Sequence, residues 1–284
     1  MTSKSKKEFN PREFFFNEKA YPSKRLGQNF IKDLRVIERI VETAELSEED
    51  RVIEIGPGLG ALTFALAGKA GKVIAIEKDK RLVSRLSGLC SEYRNVELIP
   101  GDGLKIDFRD FYRGRKMKVI SNLPYSISSP VLFKLLEDRD IFSCFILMLQ
   151  REVGERITAK PGGKLYGSIS VLLQTYMDVN LEFRVSPSAF WPKPKVDSVV
   201  LKLIPLPAPR VPVSDDKLYE KVVRAAFSSR RKMLGNSLRS ILSKEIVESV
   251  LQSSGIDKSR RAETLSVEEF GALTEEVIKF DSPY

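Results

Sequence analysis

Between Leu34 and Val41 the apolar residues Leu34, Ile37, Ile40 and Val41 recur at helical spacing. Downstream the period changes: Val52–Ile55 is a brief β-branched run that ends on glycines, and the two patterns then alternate. They predict a helix over Ala61–Ala67, a strand over Lys72–Glu77, a helix over Lys80–Leu89 and a strand over Val96–Pro100. Strand Lys118–Ser121 leads through a turn to helix Pro130–Leu136 and strand Cys144–Leu149, and Val199–Ile204 reads as a late antiparallel edge strand. Such alternation defines an α/β fold with a mostly parallel sheet covered on both faces. Pro205, Pro207, Pro209 and Pro212 then block both helix and central strand. They predict a boundary near residue 209, between a domain over 1–209 and a smaller, all-helical domain over 210–284. In the latter, Leu218, Val222 and Ala225, then Leu234, Leu238, Ile241 and Leu242, form helical stripes.

Charge changes the picture more than length does. A net charge of +9 at pH 7 points to a polyanionic partner such as RNA and says nothing of the fold. The first thirty or so residues are basic and dotted with aromatics (Phe14, Phe15, Phe16, Tyr21, Lys24, Arg25). Arg224, Arg230, Arg231, Lys232, Arg239 and Lys244 follow one another with no acidic residue between them. On a helix such a cluster cannot neutralise itself by i,i+4 pairing, so it reads as an RNA-facing surface. The sequence has no histidine, which excludes a Ser-His-Asp triad, a His-paired cysteine and a His-ligated zinc. Cys90 and Cys144 fit no metal or redox spacing, so buried reduced thiols and no metal are expected. No apolar run approaches the ~20 residues that cross a bilayer. Met1 to Asn10 is polar and lysine-bearing, unlike a secretory leader; a cytoplasmic protein with no membrane partner is the expectation.

The candidate chemistry begins at Glu54-Ile-Gly56-Pro-Gly58-Leu-Gly60, directly after a strand and before a helix. Glycines there let the backbone approach a ligand, and the helix start presents free N–H groups. Glu77 ends the next strand, placed to accept hydrogen bonds from ribose hydroxyls. That pair suits a dinucleotide dehydrogenase nearly as well as a methyltransferase, and glycines that merely make a tight turn would give the first half of it. Gly101-Asp102 after the third strand and Asn122-Leu123-Pro124-Tyr125 after the fourth break the tie. All four features fall at carboxyl ends of successive strands, the edge where open α/β sheets bind ligands. Asn-Leu-Pro-Tyr suits a poor amine nucleophile, an adenine N6. Its two N–H groups would be accepted by the Asn122 side-chain oxygen and the Leu123 carbonyl, which draws the nitrogen toward sp³. Pro124 would fix the turn and Tyr125 would stack on the extruded base.

With these motifs in order, the chain resembles the ribosomal RNA adenine dimethyltransferases that act on small-subunit RNA, the KsgA/Dim1 group. The resemblance also covers Leu26-Gly-Gln-Asn-Phe30, Gln150-Arg-Glu-Val153, Phe190-Trp-Pro-Lys-Pro-Lys-Val196-Asp-Ser198 and the stretch from Ala225 to Asn236. It implies a Rossmann-like, S-adenosylmethionine-dependent methyltransferase sheet with a helical RNA-binding domain. It further implies a monomer that dimethylates N6 of two adjacent adenosines of small-subunit rRNA, within a pre-ribosomal small subunit, during ribosome biogenesis. Residue by residue it implies cofactor contacts from Asn29, Ile31, Gly56, Gly58, Glu77, Asp102 and Asn122, and Phe190 facing Tyr125 across the target adenine. One departure is visible: Gly103 follows Asp102 where the family usually has alanine. The rival within the same chemistry is an erythromycin-resistance type enzyme acting on large-subunit RNA. The Leu-Gly-Gln-Asn-Phe form of the first motif and the Arg-Arg-Lys-Met-Leu-Gly-Asn stretch stand against it. A non-catalytic assembly factor would not need Asn122 and Tyr125, and the Asn-Leu-Pro-Tyr turn has no job in the hydride transfer of a nicotinamide oxidoreductase.

Overall fold

The structure, a computed structural model, describes residues 10–23 and 25–281. The polar stretch Met1 to Phe9 and Lys24 lie outside the described residues. The chain forms two compact units, 1–154 with 180–205, and 155–179 with 206–284.

In the first unit the Asn10 side chain caps α1 (Pro11–Asn17) by accepting from the Arg12 and Glu13 backbone N–H groups. A two-residue strand, β1 (Phe30–Ile31), precedes α2 (Leu34–Thr43), which is capped by Asp33 and buries Ile37 and Ile40. Then come β2 (Arg51–Ile55), α3 (Ala61–Ala67), β3 (Lys72–Glu77), α4 (Lys80–Cys90) and β4 (Val96–Pro100). They are followed by β5 (Met117–Asn122), α5 (Ser128–Glu137) and β6 (Phe142–Gln150). Next along the chain are α6 (Arg151–Ile157), α7 (Ser168–Tyr176), β7 (Met177–Val185), β8 (Phe190–Trp191) and β9 (Ser198–Pro205). Seven strands form one sheet in the order β4-β3-β2-β5-β6-β9-β7. From β4 to β6 every pairing is parallel, and β9 runs antiparallel to β6. Val52, Ile53, Val73, Ile74, Val119 and Ile120 are fully buried, because helices cover both faces; hence the unbroken apolar runs in these strands.

The order of strands places the site. The chain runs outward from β2 through β3 to β4, then returns to the other flank of β2 with β5. Between β2 and β5 the direction of winding reverses, and a crevice opens there at the carboxyl ends. The segments after Ile55 and after Asn122 border that crevice.

Two features differ from the expectation. β9 is antiparallel but not the edge, because β7 lies outside it. The alternation of Met177, Val179, Leu181, Phe183 and Val185 with Asp178, Asn180, Glu182 and Arg184 is the signature of a half-buried strand, quieter than the continuous runs. The proline segment, for its part, does not divide the units at 209. Leu206 donates its N–H to Tyr176 O at 2.9 Å and Arg210 to Thr175 O at 2.8 Å, so 155–179 belongs with the chain beyond the prolines.

In that second unit α7 is joined by α8 (Asp216–Ala226), α9 (Leu234–Leu238), α10 (Lys244–Ser253) and α11 (Val267–Asp281). Tyr219 is buried, with its hydroxyl 2.8 Å from Thr175 Oγ1, and Phe227 packs on Phe270 with ring centroids 5.7 Å apart. The basic cluster is not helical throughout. Arg224, on α8, pairs with Glu220 one turn back, so this cation does have an i,i+4 partner, which lies just ahead of the acid-free run. The helix ends where Phe227 turns in to Phe270, and Arg230, Arg231 and Lys232 stand exposed on the turn before α9.

Candidate active site

At the carboxyl end of β2 the chain must turn sharply into α3. Gly56, Gly58 and Gly60 do so with φ of +75°, +64° and +88°. A Cβ on Gly58 would meet the Phe30 ring at 3.0 Å, so the glycine also lets β1 close on this turn. Glu77, at the end of β3, is 6% exposed and ties the turn down: one carboxylate oxygen accepts the Gly58 N–H at 3.1 Å, the other the Asp79 N–H at 2.8 Å. Burial pushes its carboxyl above the usual range, against the pull of those N–H donors. Asp102, after β4, accepts from Lys78 Nζ at 2.7 Å and from the Leu104 N–H at 3.1 Å; the lysine beside it holds its carboxyl below the usual range.

Asn122 ends β5. Its amide nitrogen donates to Asn29 O at 3.0 Å, while no described donor reaches its oxygen or the Leu123 carbonyl. The Leu123 N–H donates to Met148 O at 3.1 Å, which ties the start of the turn to β6. The Tyr125 hydroxyl lies 2.8 Å from Ser198 Oγ, and burial pushes the phenol up. Over this turn passes Gly27, where φ is +64° and a Cβ would crowd Tyr125 N, Ser126 N and Ser126 Oγ, each at 3.2 Å. Gln28 pins that passage by donating to Asp79 Oδ2 at 2.9 Å and accepting the Ser23 N–H at 2.7 Å.

A single cavity of about 350 Å³ collects these groups. Asn29, Ile31, Gly56, Gly58, Glu77, Asp102 and Asn122 all line it, as do Leu123, Pro124 and Tyr125. Phe190 does not. It is 1% exposed, paired opposite Ile31 across β8 and β1, and belongs to the hydrophobic core. A large apolar side chain without a polar handle finds its place in the core, which is the commoner fate of phenylalanine. Glu54, Gln28, Lys78 and Ser198 join the site without having been expected there. The first three line the cavity, and Ser198 touches it only through Tyr125. Glu54 had a signal in the glycine motif it opens; Ser198 had none beyond closing the motif that starts at Phe190. Gly103 has a local cause: a Cβ there would lie 2.8 Å from Ile55 Cγ2.

The donor set suits a nucleoside-bearing cationic cofactor. The acidic Glu77 and Asp102 stand at adjacent strand ends, and the glycine cradle leaves room that side chains would fill. Among the described residues no group of His, Cys, Asp or Glu is arranged to hold a metal ion, and no helix is long and apolar enough to cross a membrane.

Fold and site define the class of an S-adenosylmethionine-dependent methyltransferase. Comparison with known proteins narrows it: the model of the family described as "Ribosomal RNA adenine dimethylase" matches residues 21–279, and the chain belongs to this family. A "Ribosomal RNA small subunit methyltransferase A" of Clostridium acetobutylicum is 46% identical over 275 residues, covering 96% of this chain and 100% of that protein. Among solved structures, a dimethyladenosine transferase from Plasmodium falciparum superposes with a TM-score of 0.74 at 29% identity, over 88% of this chain and 97% of that one. The 23S rRNA methyltransferase ErmE gives a TM-score of 0.67 at 26% identity, over 88% of this chain and 99% of its own. The chain is accordingly an rRNA adenine N6,N6-dimethyltransferase that uses S-adenosylmethionine.

Proposed function

We propose that the protein dimethylates N6 of two adjacent adenosines in the rRNA of a cytoplasmic small-subunit precursor, and that the residues around the cavity share out the work. Glu77 holds the cofactor ribose and Asp102 its adenine ring, while Asn29, Ile31, Gly56 and Gly58 close around the remainder. S-adenosylmethionine supplies a methyl group on a sulfonium centre. Asn122 Oδ1 and the Leu123 carbonyl accept the two N6 hydrogens and aim the lone pair, and the Tyr125 ring receives the extruded base. Positioning and electrostatics then carry the reaction: the methylated nitrogen, acidic while it is cationic, gives up its proton to water, so no strong base is required.

One observation carries this reading: the Asn122 amide is fixed by its donor end to Asn29 O, and its acceptor end is left free in the cavity that Glu77 and Asp102 line. An oxygen held without a donor in a half-buried turn is set up to accept one from a substrate. The 46% identical relative is named for the small subunit and covers the chain almost end to end, whereas the large-subunit enzyme is more distant; this favours the small subunit.

The test is methyl transfer from labelled S-adenosylmethionine to unmethylated small and large subunits, with nucleoside analysis of the products. Dimethyladenosine is expected from small subunits only, and labelled large subunits would overturn the assignment. In the same assay Asn122→Ala should lower kcat by about 10²–10³ while cofactor affinity changes little. Wild-type turnover in that variant would remove Asn122 from the mechanism.

A further inference from the structure

The turn that carries the chemistry is held at both ends. Asn122 is fixed to Asn29 O, and three residues on, the Tyr125 hydroxyl meets Ser198 Oγ at 2.8 Å, where either oxygen can donate. Ser198 is fully buried and opens β9 opposite Gln150 of β6, so its backbone is set by the sheet. Its neighbour Asp197 is anchored as well: the Arg151 N–H donates to Asp197 O at 2.9 Å, and the Arg151 guanidinium reaches the Asp197 carboxylate at 3.3 Å. A tyrosine ring turns about two side-chain torsions. The phenolic oxygen lies on the axis of the second, so a hydrogen bond at the far end, to a group that cannot move, fixes the first and with it the place of the ring.

We propose that Ser198 is a positioning residue for methyl transfer, its hydroxyl holding the Tyr125 ring in the place where the target base is received. This rests on Tyr125 being the stacking face, as proposed above, and gives work to a hydroxyl that stacking alone leaves idle. Ser198 does not line the cavity, so its influence on the reaction runs through the ring. With the bond gone the ring samples other rotamers, and productive stacking becomes one arrangement among several.

The experiment uses the full chain and unmethylated small subunits, with kcat, KM for S-adenosylmethionine and thermal midpoint measured for each variant. Ser198→Ala and Tyr125→Phe should each lower kcat about three- to tenfold, the worth of one neutral hydrogen bond, and leave the cofactor KM unchanged. The double variant should be no slower than the slower single, because the same bond cannot be removed twice. Ser198→Thr, which keeps the hydroxyl on a strand-compatible side chain, should recover most of kcat. If Ser198→Ala fails to fold, Tyr125→Phe puts the same question without touching β9. Wild-type kcat in Ser198→Ala at a lowered midpoint, or losses that multiply in the double variant, would overturn the inference. With Tyr125→Ala inactive in either case, the stacking face would still stand. Full activity in Tyr125→Ala would instead overturn the reading beneath it.

Discussion

Inside β2 the Glu54 side chain is fully buried, and one of its carboxyl oxygens has no hydrogen-bond partner among the described residues. Burial, reinforced by the Glu77 charge, pushes its carboxyl up to about 8. The sign of the consequence is fixed by linkage. A folded state that keeps a proton which the unfolded chain releases is favoured below the ordinary carboxyl range and loses that advantage as pH rises through 8. Glu54→Gln, neutral at every pH, should therefore melt close to wild type at pH 5 and higher than wild type at pH 9. For a domain of this size each kcal/mol relieved is about 2–4 °C. Parallel melting curves for the two proteins across that range would show that Glu54 carries no proton in the folded state. The glutamate itself was legible in the glycine motif. Its protonation was not, because that depends on the helix and strands that seal it in.

At the scale of elements, the ends of β3 and β4 look alike in sequence and differ in build. Glu77 is a cofactor candidate that also satisfies two backbone N–H groups of its own surroundings, whereas Asp102 accepts from an exposed lysine and one N–H of its loop. Both Glu77→Ala and Asp102→Ala should weaken S-adenosylmethionine binding, each by about 1–3 kcal/mol in calorimetry. Glu77→Ala should in addition lower the thermal midpoint, since it orphans the Gly58 and Asp79 N–H groups inside the protein; Asp102→Ala should not. Equal midpoints would show that water or a neighbour takes over the Glu77 contacts. The sequence displayed strands that are apolar on both faces, together with the polar residue at each strand end. It hid what closes over long distances, such as Tyr125 to Ser198, and what depends on the destination of an apolar side chain, as with Phe190. β7 was hidden differently, its alternation being present in the sequence but weaker than the continuous runs around it.

For the whole molecule, the exposed basic turn and the cavity belong to different units. Arg230, Arg231 and Lys232 are exposed on a turn of the second unit, and no described acid pairs with them, while the cavity belongs to the first. We propose that this turn grips rRNA phosphates. Lys and Arg on phosphate release counterions, so affinity should fall steeply with salt, and fewer such pairings should flatten that slope. Replacing all three by glutamine should weaken binding to small subunits and reduce its salt slope, by up to about 0.9 for each phosphate no longer held if that rRNA is duplex. S-adenosylmethionine affinity should stay put. Wild-type affinity and slope in the triple variant would make the turn a solvated surface. The antiparallel return of β9 onto β6 has a consequence for how the enzyme is made. A nascent chain that has left the ribosome as far as residue 150 already carries the glycine turn, Glu77, Asp102 and Asn122. It still lacks the strand on which Tyr125 is hung, and the core around β6 has no β9 to cover it. Pairings between distant segments form late. During synthesis, then, the strand ends that line the cavity emerge well before Ser198, to which the Tyr125 hydroxyl is bound.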